Sequence, residues 1–399
     1  MLTVSEALAR ILDGVTPLPT ETVPLDAACG RTLAHGLTAL RTQPPQALSA
    51  MDGYAVRSAD CRKPGAQLAV IGSAPAGHPF YETVNEGEAV RLFTGSVVPK
   101  GADAVVIQEN VEAHTLTIHV SVAVEAGANI RPAGIDFRAG DLVLPGGTVL
   151  TPRGIALAAA ADYPRLGVVR KPVVAVLSTG DELREPGTPL SPGQIIASNG
   201  YAIAALARAN GADVLALGII PDDSAAISAA FSVAMRDGAD VIVSLGGASV
   251  GEHDLVRDAF AAQGMALDFW KVAMRPGKPL MFGTCEGVRV LGLPGNPVSS
   301  YVCAQLFLLP LLAAMLGRSF TQSLRTSVLA NALPANGPRE HYARAQVIGE
   351  AENGLPLVQV FADQDSSLLT PLASADCLLV QPAHAPPQGR GDMVTLMML

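Results

Sequence analysis

Cysteine is scarce in this chain and never paired. The five thiols, Cys29, Cys61, Cys285, Cys303 and Cys377, are odd in number, lie far apart and never form Cys-x-x-Cys. Neither a disulfide framework nor a zinc knuckle is expected, and a reducing cytoplasm is the natural setting. Histidine is equally thin: there are seven, with no His-x-x-x-His pair, which argues against a transition-metal site. Charged residues are only 16% of the chain, and their net of −9 has the wrong sign for a phosphate backbone, so nucleic acid is not an expected partner. No Gly-x-x-x-x-Gly-Lys loop or Cys–His pair suggests covalent or P-loop chemistry. The longest membrane-like run, Tyr301 to Leu316, contains Gln305 and Pro310 and falls short of the ~20 residues a span needs. It reads as a buried helix with a kink, and no membrane association is expected. The opening Met1-Leu2-Thr3-Val4-Ser5-Glu6 has neither a basic n-region nor an apolar core, so it does not read as a signal peptide.

What is present is apolar residues, glycine and proline. With 399 residues, 49% hydrophobic, the chain exceeds one core and should form two to four domains, and Gly 39 with Pro 30 imply many turns and much β structure. Thr3-Val4-Ser5-Glu6 is a capping box that opens a short amphipathic helix ending near Gly14. Between Leu25 and Leu150, short β-prone runs such as Leu68 to Ile71, Ala104 to Ile107 and Leu116 to Val120 predict a mostly antiparallel region. Thr151-Pro152 then starts a helix through Ala161. From Pro172 to Leu316, apolar runs (Val173 to Leu177, Val214 to Ile219, Val241 to Val243, Val288 to Leu291) alternate with helical segments, which predicts a parallel sheet with right-handed crossovers. Ser327 to Leu399 reads as a small β domain.

Parallel sheets bind ligands beyond the carboxyl ends of their strands. The four apolar runs lead into Ser178-Thr179-Gly180-Asp181-Glu182, Pro221-Asp222-Asp223, Ser244-Leu245-Gly246-Gly247-Ala248-Ser249 and Pro294-Gly295-Asn296-Pro297, so all four loops should share one rim. Ser244 to Ser249 can present backbone amides to a phosphate, or can be a tight strand-to-helix turn. The carboxylates Asp181, Glu182, Asp222 and Asp254 beside it suggest Mg²⁺, and each singly can be a first-turn acid answering a helix dipole. Lys271, Arg275 and Lys278 crowd a Pro- and Gly-rich segment read as a rigid loop shaped for an anion. Trp270 is expected in packing. Ser49-Ala50-Met51-Asp52-Gly53-Tyr54-Ala55, Phe93-Thr94-Gly95 and Gly134-Ile135-Asp136 add small and acidic clusters; alone, each can be a turn in which Asp52 or Asp136 bonds local amides.

Taken together, Ser49 to Val56, Ser178 to Leu183, Gly246 to Asp254, Pro276-Gly277-Lys278-Pro279 and Leu293 to Ser299 closely resemble the molybdopterin molybdenumtransferases, the MoeA family, which includes the C-terminal region of gephyrin. The resemblance is colinear over the whole chain. It implies an α/β plus β multidomain fold: an N-terminal helix (1–24), a mixed linking domain (25–45 and 140–171), a β-rich insert (46–139), a three-layer α/β molybdopterin-binding domain with a mostly parallel sheet (172–320) and a small barrel-like C-terminal β domain (321–399). It implies a homodimer with shared active sites that serves molybdoenzyme maturation. It also implies insertion of molybdate into adenylylated molybdopterin, with release of AMP and Mg²⁺ assisting. Asp52, Thr94, Asp136, Glu182, Asp222, Asp254, Lys271 and Arg275 match the family's functional positions. Ser178, Thr179, Gly180, Asp181, Ser244, Gly246, Gly247, Ser249, Lys278, Pro294, Gly295 and Asn296 match the molybdopterin-binding segments. Arg275, Lys278, Pro279, Arg339 and Ser366 match positions that receive molybdate. Three departures stand out: Gln46-Ala47-Leu48 replaces polar residues ahead of Asp52, Arg275 replaces the usual Lys, and Gln364-Asp365-Ser366-Ser367 puts an acid on the anion's path. Two other readings are a molybdopterin adenylyltransferase, against which the extra β domains argue, and a non-catalytic gephyrin-like scaffold, against which the retained acids and cations argue.

Overall fold

The first helix forms where its cap is written. Thr3 Oγ1 accepts from the Glu6 N–H at 3.2 Å while the Glu6 carboxylate accepts from the Thr3 N–H at 2.8 Å, satisfying two orphan donors at once. Helix α1 (Val4–Leu12) follows and buries Val4, Ala7 and Ile11. The structure, a computed structural model, describes residues 1–246 and 255–399; Gly247, Ser249 and Asp254 lie outside the described residues. The chain divides into two compact units: Met1–Glu21 with Gly30–Ala34 and Val168–Leu399, and Thr22–Cys29 with His35–Gly167.

The unit containing Asp52 is built on a six-stranded sheet of β1 (Gly53–Val56), β2 (Ala66–Ala74), β3 (Glu88–Leu92), β4 (Ala104–Ile107), β5 (Val111–Ala113) and β6 (Thr117–Val120), in the order β4-β1-β3-β2-β6-β5. All pairs are antiparallel except β2 with β3. Alternation places Tyr54, Val56, Leu68 and Ile118 in one core and Ala55, Val90, Leu92 and Val105 in another, so both faces are covered. Helix α2 (Pro152–Ala160) starts at Thr151, whose hydroxyl accepts from the Gly154 N–H at 3.2 Å.

In the other unit the alternation resolves into β7 (Val173–Thr179), α3 (Asn199–Ala209), β8 (Asp213–Ile220), α4 (Ser224–Arg236), β9 (Val241–Leu245) and α5 (Leu255–Ala262). It continues through β10 (Ala266–Lys271), β11 (Met274–Arg275), β12 (Pro279–Cys285) and β13 (Val288–Leu293). The sheet order is β8-β7-β9-β13-β12-β10. The first four strands are parallel, and β12 then runs antiparallel to both β13 and β10. Val174, Val176, Val243 and Leu291 face α1 and α3, whereas Ala175, Leu177, Ile242 and Val290 face Ile227 and Phe231 of α4 and Val256 and Phe260 of α5. These are the three layers. Trp270 to Pro279 is not one rigid loop: it is a strand end, the two-residue strand β11, and a strand start.

Helix α6 (Pro297–Met315) is long and apolar enough to cross a membrane by length and composition, with a mean hydropathy of 1.8, yet 83% of that window is buried in protein. The irregularity expected at Pro310 takes the form of a π-helical stretch, Ala304–Leu308, just before it. Proline lacks the N–H and crowds the carbonyl four residues back, and a wider turn relieves that crowding.

The C-terminal strands β14 (Leu324–Leu329), β15 (Glu340–Glu350), β16 (Pro356–Val360), β17 (Cys377–Gln381) and β18 (Met393–Met398) close into a five-stranded barrel, β15-β16-β14-β18-β17-β15. Leu329, Ala343, Ala345, Val358, Leu379 and Leu396 form its core. Strand β11 pairs in parallel with β15, with Met274 opposite Glu340 and Arg275 opposite His341.

Candidate functional site

The sheet topology decides which residues share the rim at the strand carboxyl ends. β7, β8, β9 and β13 deliver Gly180 to Glu182, Asp222, Gly246 and Pro294 to Asn296 there. Because β12 reverses direction and β10 reverses it again, Trp270 and Lys271 at the end of β10 and Lys278 and Pro279 at the start of β12 reach the same rim. The rim therefore reads, in strand order, Asp222, then Asp181 and Glu182, then Gly246, then Gly295, then Lys278, then Lys271. Neighbouring strands lie ~4.8 Å apart, so about 14 Å separates the acids after β7 from the cation before β12.

A cavity of about 420 Å³ opens over the acidic half, lined among others by Ser178, Thr179, Glu182, Gly246, Gly295 and Asn296. Thr179 Oγ1 and Ser244 Oγ are buried without a hydrogen-bond partner among the described residues. Orphaned buried hydroxyls are costly unless a ligand or water completes them. Gly246 has φ +95°, and a Cβ there would lie 2.6 Å from the Thr179 carbonyl oxygen, so only glycine lets the two strand ends meet. The floor is tied together where Asn199 Nδ2 donates to the Gly295 carbonyl at 2.6 Å.

The acids repel one another. Burial pushes the Asp222 carboxyl up, and the negative charges of Asp181 and Glu182 push in the same direction, against a hydrogen bond from the Asp181 backbone that lowers it; the Asp222 N–H in turn donates to Asp181 Oδ1 at 3.2 Å. None of the three is ion-paired among the described residues. No group of three or more His, Cys, Asp or Glu among the described residues encloses a metal ion.

At the cationic half, Lys271 Nζ lies 5.2 Å from the Trp270 ring centroid and the Arg257 guanidinium 4.7 Å from it, so Trp270 is a cation platform as well as packing. Arg275 is half-buried, and its Nε has no partner among the described residues. Burial, and then the charges of Arg275 and Arg339, push the His341 imidazole down to about 4 against a hydrogen bond with Gln381 that raises it. Arg275, Arg339 and His341 are thus gathered, and His341 was not singled out in the sequence. Ser366 is brought to the rim: Asn296 Nδ2 donates to its Oγ at 2.8 Å, and the Val298 N–H donates to its carbonyl at 3.0 Å. Asp365 is occupied, accepting from the Ser367 N–H at 2.8 Å and hydroxyl at 2.7 Å. A second missed residue, Arg344, is fully buried and donates to the carbonyls of Leu368 and Asp365, each at 2.8 Å. It fixes the loop that presents Ser366. A lone arginine between alanines in a strand was the only signal.

In the other unit, Asp52 accepts from the Thr94 N–H at 2.7 Å and hydroxyl at 2.8 Å, and these bonds hold its carboxyl below the usual range. Thr94, and not the Gln46 to Leu48 segment, orients it. Asp136 is exposed, with its N–H donating to the Gln43 carbonyl at 3.2 Å.

Comparison with known proteins places this geometry in a family. Residues 2–161 match the MoeA N-terminal region (domains I and II), 175–314 a probable molybdopterin-binding domain, and 326–399 the MoeA C-terminal region (domain IV). The chain is 36% identical to the molybdopterin molybdenumtransferase of Haemophilus influenzae, covering 99% of this chain and 98% of that protein. It is 33% identical to the one from Bacillus subtilis, covering 99% and 94%. A solved structure of the molybdopterin biosynthesis MoeA protein of Pyrococcus horikoshii, 29% identical, superposes over all of both chains with a TM-score of 0.83. The chain belongs to the molybdopterin molybdenumtransferase (MoeA) family.

Proposed function

We propose that this chain, an enzyme of molybdenum cofactor biosynthesis, inserts molybdate into adenylylated molybdopterin and releases AMP. The observation that carries this reading is the order of charge along the strand-end rim, acids at one end, small backbone-exposing residues in the middle, and cations at the other. A ligand with a pyrophosphate between two larger groups spans such a rim, and an inorganic oxyanion fits its cationic end. Asp181, Glu182 and Asp222 fit a hard divalent cation, because their mutual repulsion falls when one is shared among them. A few carboxylates at an open rim suit Mg²⁺, which usually takes one or two carboxylates and completes its shell with substrate phosphate oxygens and water. When bound, Mg²⁺ supplies neutralisation of the pyrophosphate charge. The chain's own groups do the rest: Gly246 and the Thr179 and Ser244 hydroxyls position phosphate, and Lys271, Arg275, Lys278 and Arg339 with Ser366 collect molybdate. Asp254, Gly247 and Ser249 join these groups in the same reading. Two copies assemble so that Asp52, Thr94 and Asp136 of one serve the rim of the other.

Purified protein incubated with adenylylated molybdopterin, Mg²⁺ and molybdate should release AMP and yield cofactor able to reconstitute an apo-molybdoenzyme. AMP release no faster than in a protein-free control would overturn the reading.

A further inference from the structure

Arg91 lies just ahead of Phe93-Thr94-Gly95 and takes no part in the reaction proposed above. It stands on β3 directly opposite Tyr54 of β1, and strand alternation puts Phe93 on the same face. Its guanidinium lies 4.9 Å from the Tyr54 ring centroid and 5.2 Å from that of Phe93, contacts in which the ring faces attract the cation. Nη2 donates to Gln108 Oε1 at 2.7 Å and Nη1 to the Gly53 carbonyl at 3.3 Å. Three of these four contacts end beside the Asp52–Thr94 pair. Gly53 follows Asp52 in the chain, the Gln108 N–H donates to the Asp52 carbonyl at 3.1 Å, and Phe93 precedes Thr94. No carboxylate is ion-paired with Arg91 among the described residues. Thr94's two bonds do most to hold the Asp52 carboxyl low, and the Arg91 charge adds to them.

Resting on the reaction proposed above, we propose that Arg91 is the positioning residue of the Asp52–Thr94 pair, the group that locks the two segments carrying it into one arrangement. Those segments are 42 residues apart in the chain, so nothing local fixes Thr94 against Asp52. Arg91 reaches both: along its own strand to the Phe93 ring, and across the sheet to the Gly53 carbonyl and the Gln108 side chain. Both Thr94 bonds fall on Asp52 Oδ1, which leaves Oδ2 without a partner among the described residues and open to the substrate. An arginine needed only to cover two rings would explain the stacking and not the two hydrogen bonds that flank Asp52. The residue type matters, because a planar fork donates in two directions while its face stays on a ring, which a compact ammonium does not do.

The test uses the full chain. Arg91→Met keeps an apolar stem on the rings and loses the charge and both donors. Its kcat for AMP release should fall about tenfold, with KM for adenylylated molybdopterin within about twofold of wild type, because the pair acts on substrate already bound. Arg91→Lys, which keeps a cation over the rings without the fork, should fall about threefold. Thr94→Val removes one of the bonds that Arg91 is there to place, so the double variant Arg91→Met/Thr94→Val should lose no more than about twofold beyond the worse single one. Hydrogen exchange reads the same contact without the reaction. The Thr94 amide belongs to an exposed residue and is held by Asp52, so it should exchange about tenfold faster in Arg91→Met than in wild type. An Arg91→Met kcat within about twofold of wild type, losses that multiply in the double variant, or unchanged Thr94 exchange would each overturn the assignment. If thermal melting shows that Arg91→Met does not fold, Arg91→Lys carries the test, and a wild-type kcat in that protein would overturn it. Faster Thr94 exchange in Arg91→Met, with a wild type that releases no AMP, would keep the positioning role and remove the reaction. AMP release by wild type with exchange and kcat both indifferent to Arg91 would do the reverse.

Discussion

Arg344 never reaches solvent, yet it decides where Ser366 stands. Its guanidinium satisfies the Leu368 and Asp365 carbonyls, while the Gln364 side chain brackets its own backbone, accepting from the Arg344 N–H at 2.9 Å and donating to the Arg344 carbonyl at 3.0 Å. Arg344→Met would leave those carbonyls without their partner at ~1–3 kcal/mol apiece. Urea unfolding should register a loss of about 3 kcal/mol. His341 makes a prediction in pH. Its folded pKa, about 4, lies below the ordinary histidine value of 6.5, so the unfolded chain binds the extra proton first. The neutral form's contribution to stability is complete above pH 6.5 and is lost as pH falls toward 4. A shift of that size is worth roughly 3 kcal/mol before solvent screens a half-buried ring. His341→Gln, which cannot titrate, should flatten the stability curve across that window when denaturation midpoints are compared from pH 4 to 7. An unchanged slope would remove His341 as its source.

At the scale of elements, the meeting of β7 and β9 depends on Gly246. Gly246→Ala places a methyl group against the Thr179 carbonyl in a left-handed conformation, at a cost of ~1–3 kcal/mol, and AMP release should fall at least tenfold as the phosphate floor moves. Single-turnover AMP release would measure this. β7, β9 and β13 were legible because a strand buried on both faces is a continuous apolar run; the edge strand β8 is only half-buried but carries the same apolar run, and each of the four ran directly into its polar loop. β10 and β12 were not. Leu267, Asp268 and Lys271 leave β10 largely exposed, and β12 begins at a proline that follows Pro276-Gly277-Lys278, so turn signals overrode the strand pattern. The cations' place on the rim depends on those two reversals, and local pattern carries no information about strand direction. The same limit hid the pairing of Asp52 with Thr94, 42 residues away, which only the folded sheet brings together. The cap at Thr3 and the helix at Thr151 were readable because both signals are local.

For the whole molecule, the proposed sharing of sites between copies has an arithmetic consequence. Asp52 and Lys271 fall in different compact units. If one copy's Asp52 serves the other's rim, Asp52→Ala and Lys271→Ala proteins are each inactive, yet a co-expressed mixture regains about a quarter of wild-type activity. Half of randomly assembled dimers are mixed, and each mixed dimer holds one intact site of two. No recovery above the separate variants would place both residues in the site of a single copy. The chain's route past the rim has a different consequence. It leaves the sheet at Lys271, lends Met274 and Arg275 to the barrel, and returns at Pro279. Lys271 and Lys278 therefore take their coordinates from the sheet, whereas Arg275 takes its own from the barrel. The barrel and the sheet are thus registered against each other at Arg275 as well as at the Asn296–Ser366 bond, so a change in the barrel wall that shifts Glu340 and His341 would retune the proposed anion site through Arg275 without touching Lys271 or Lys278.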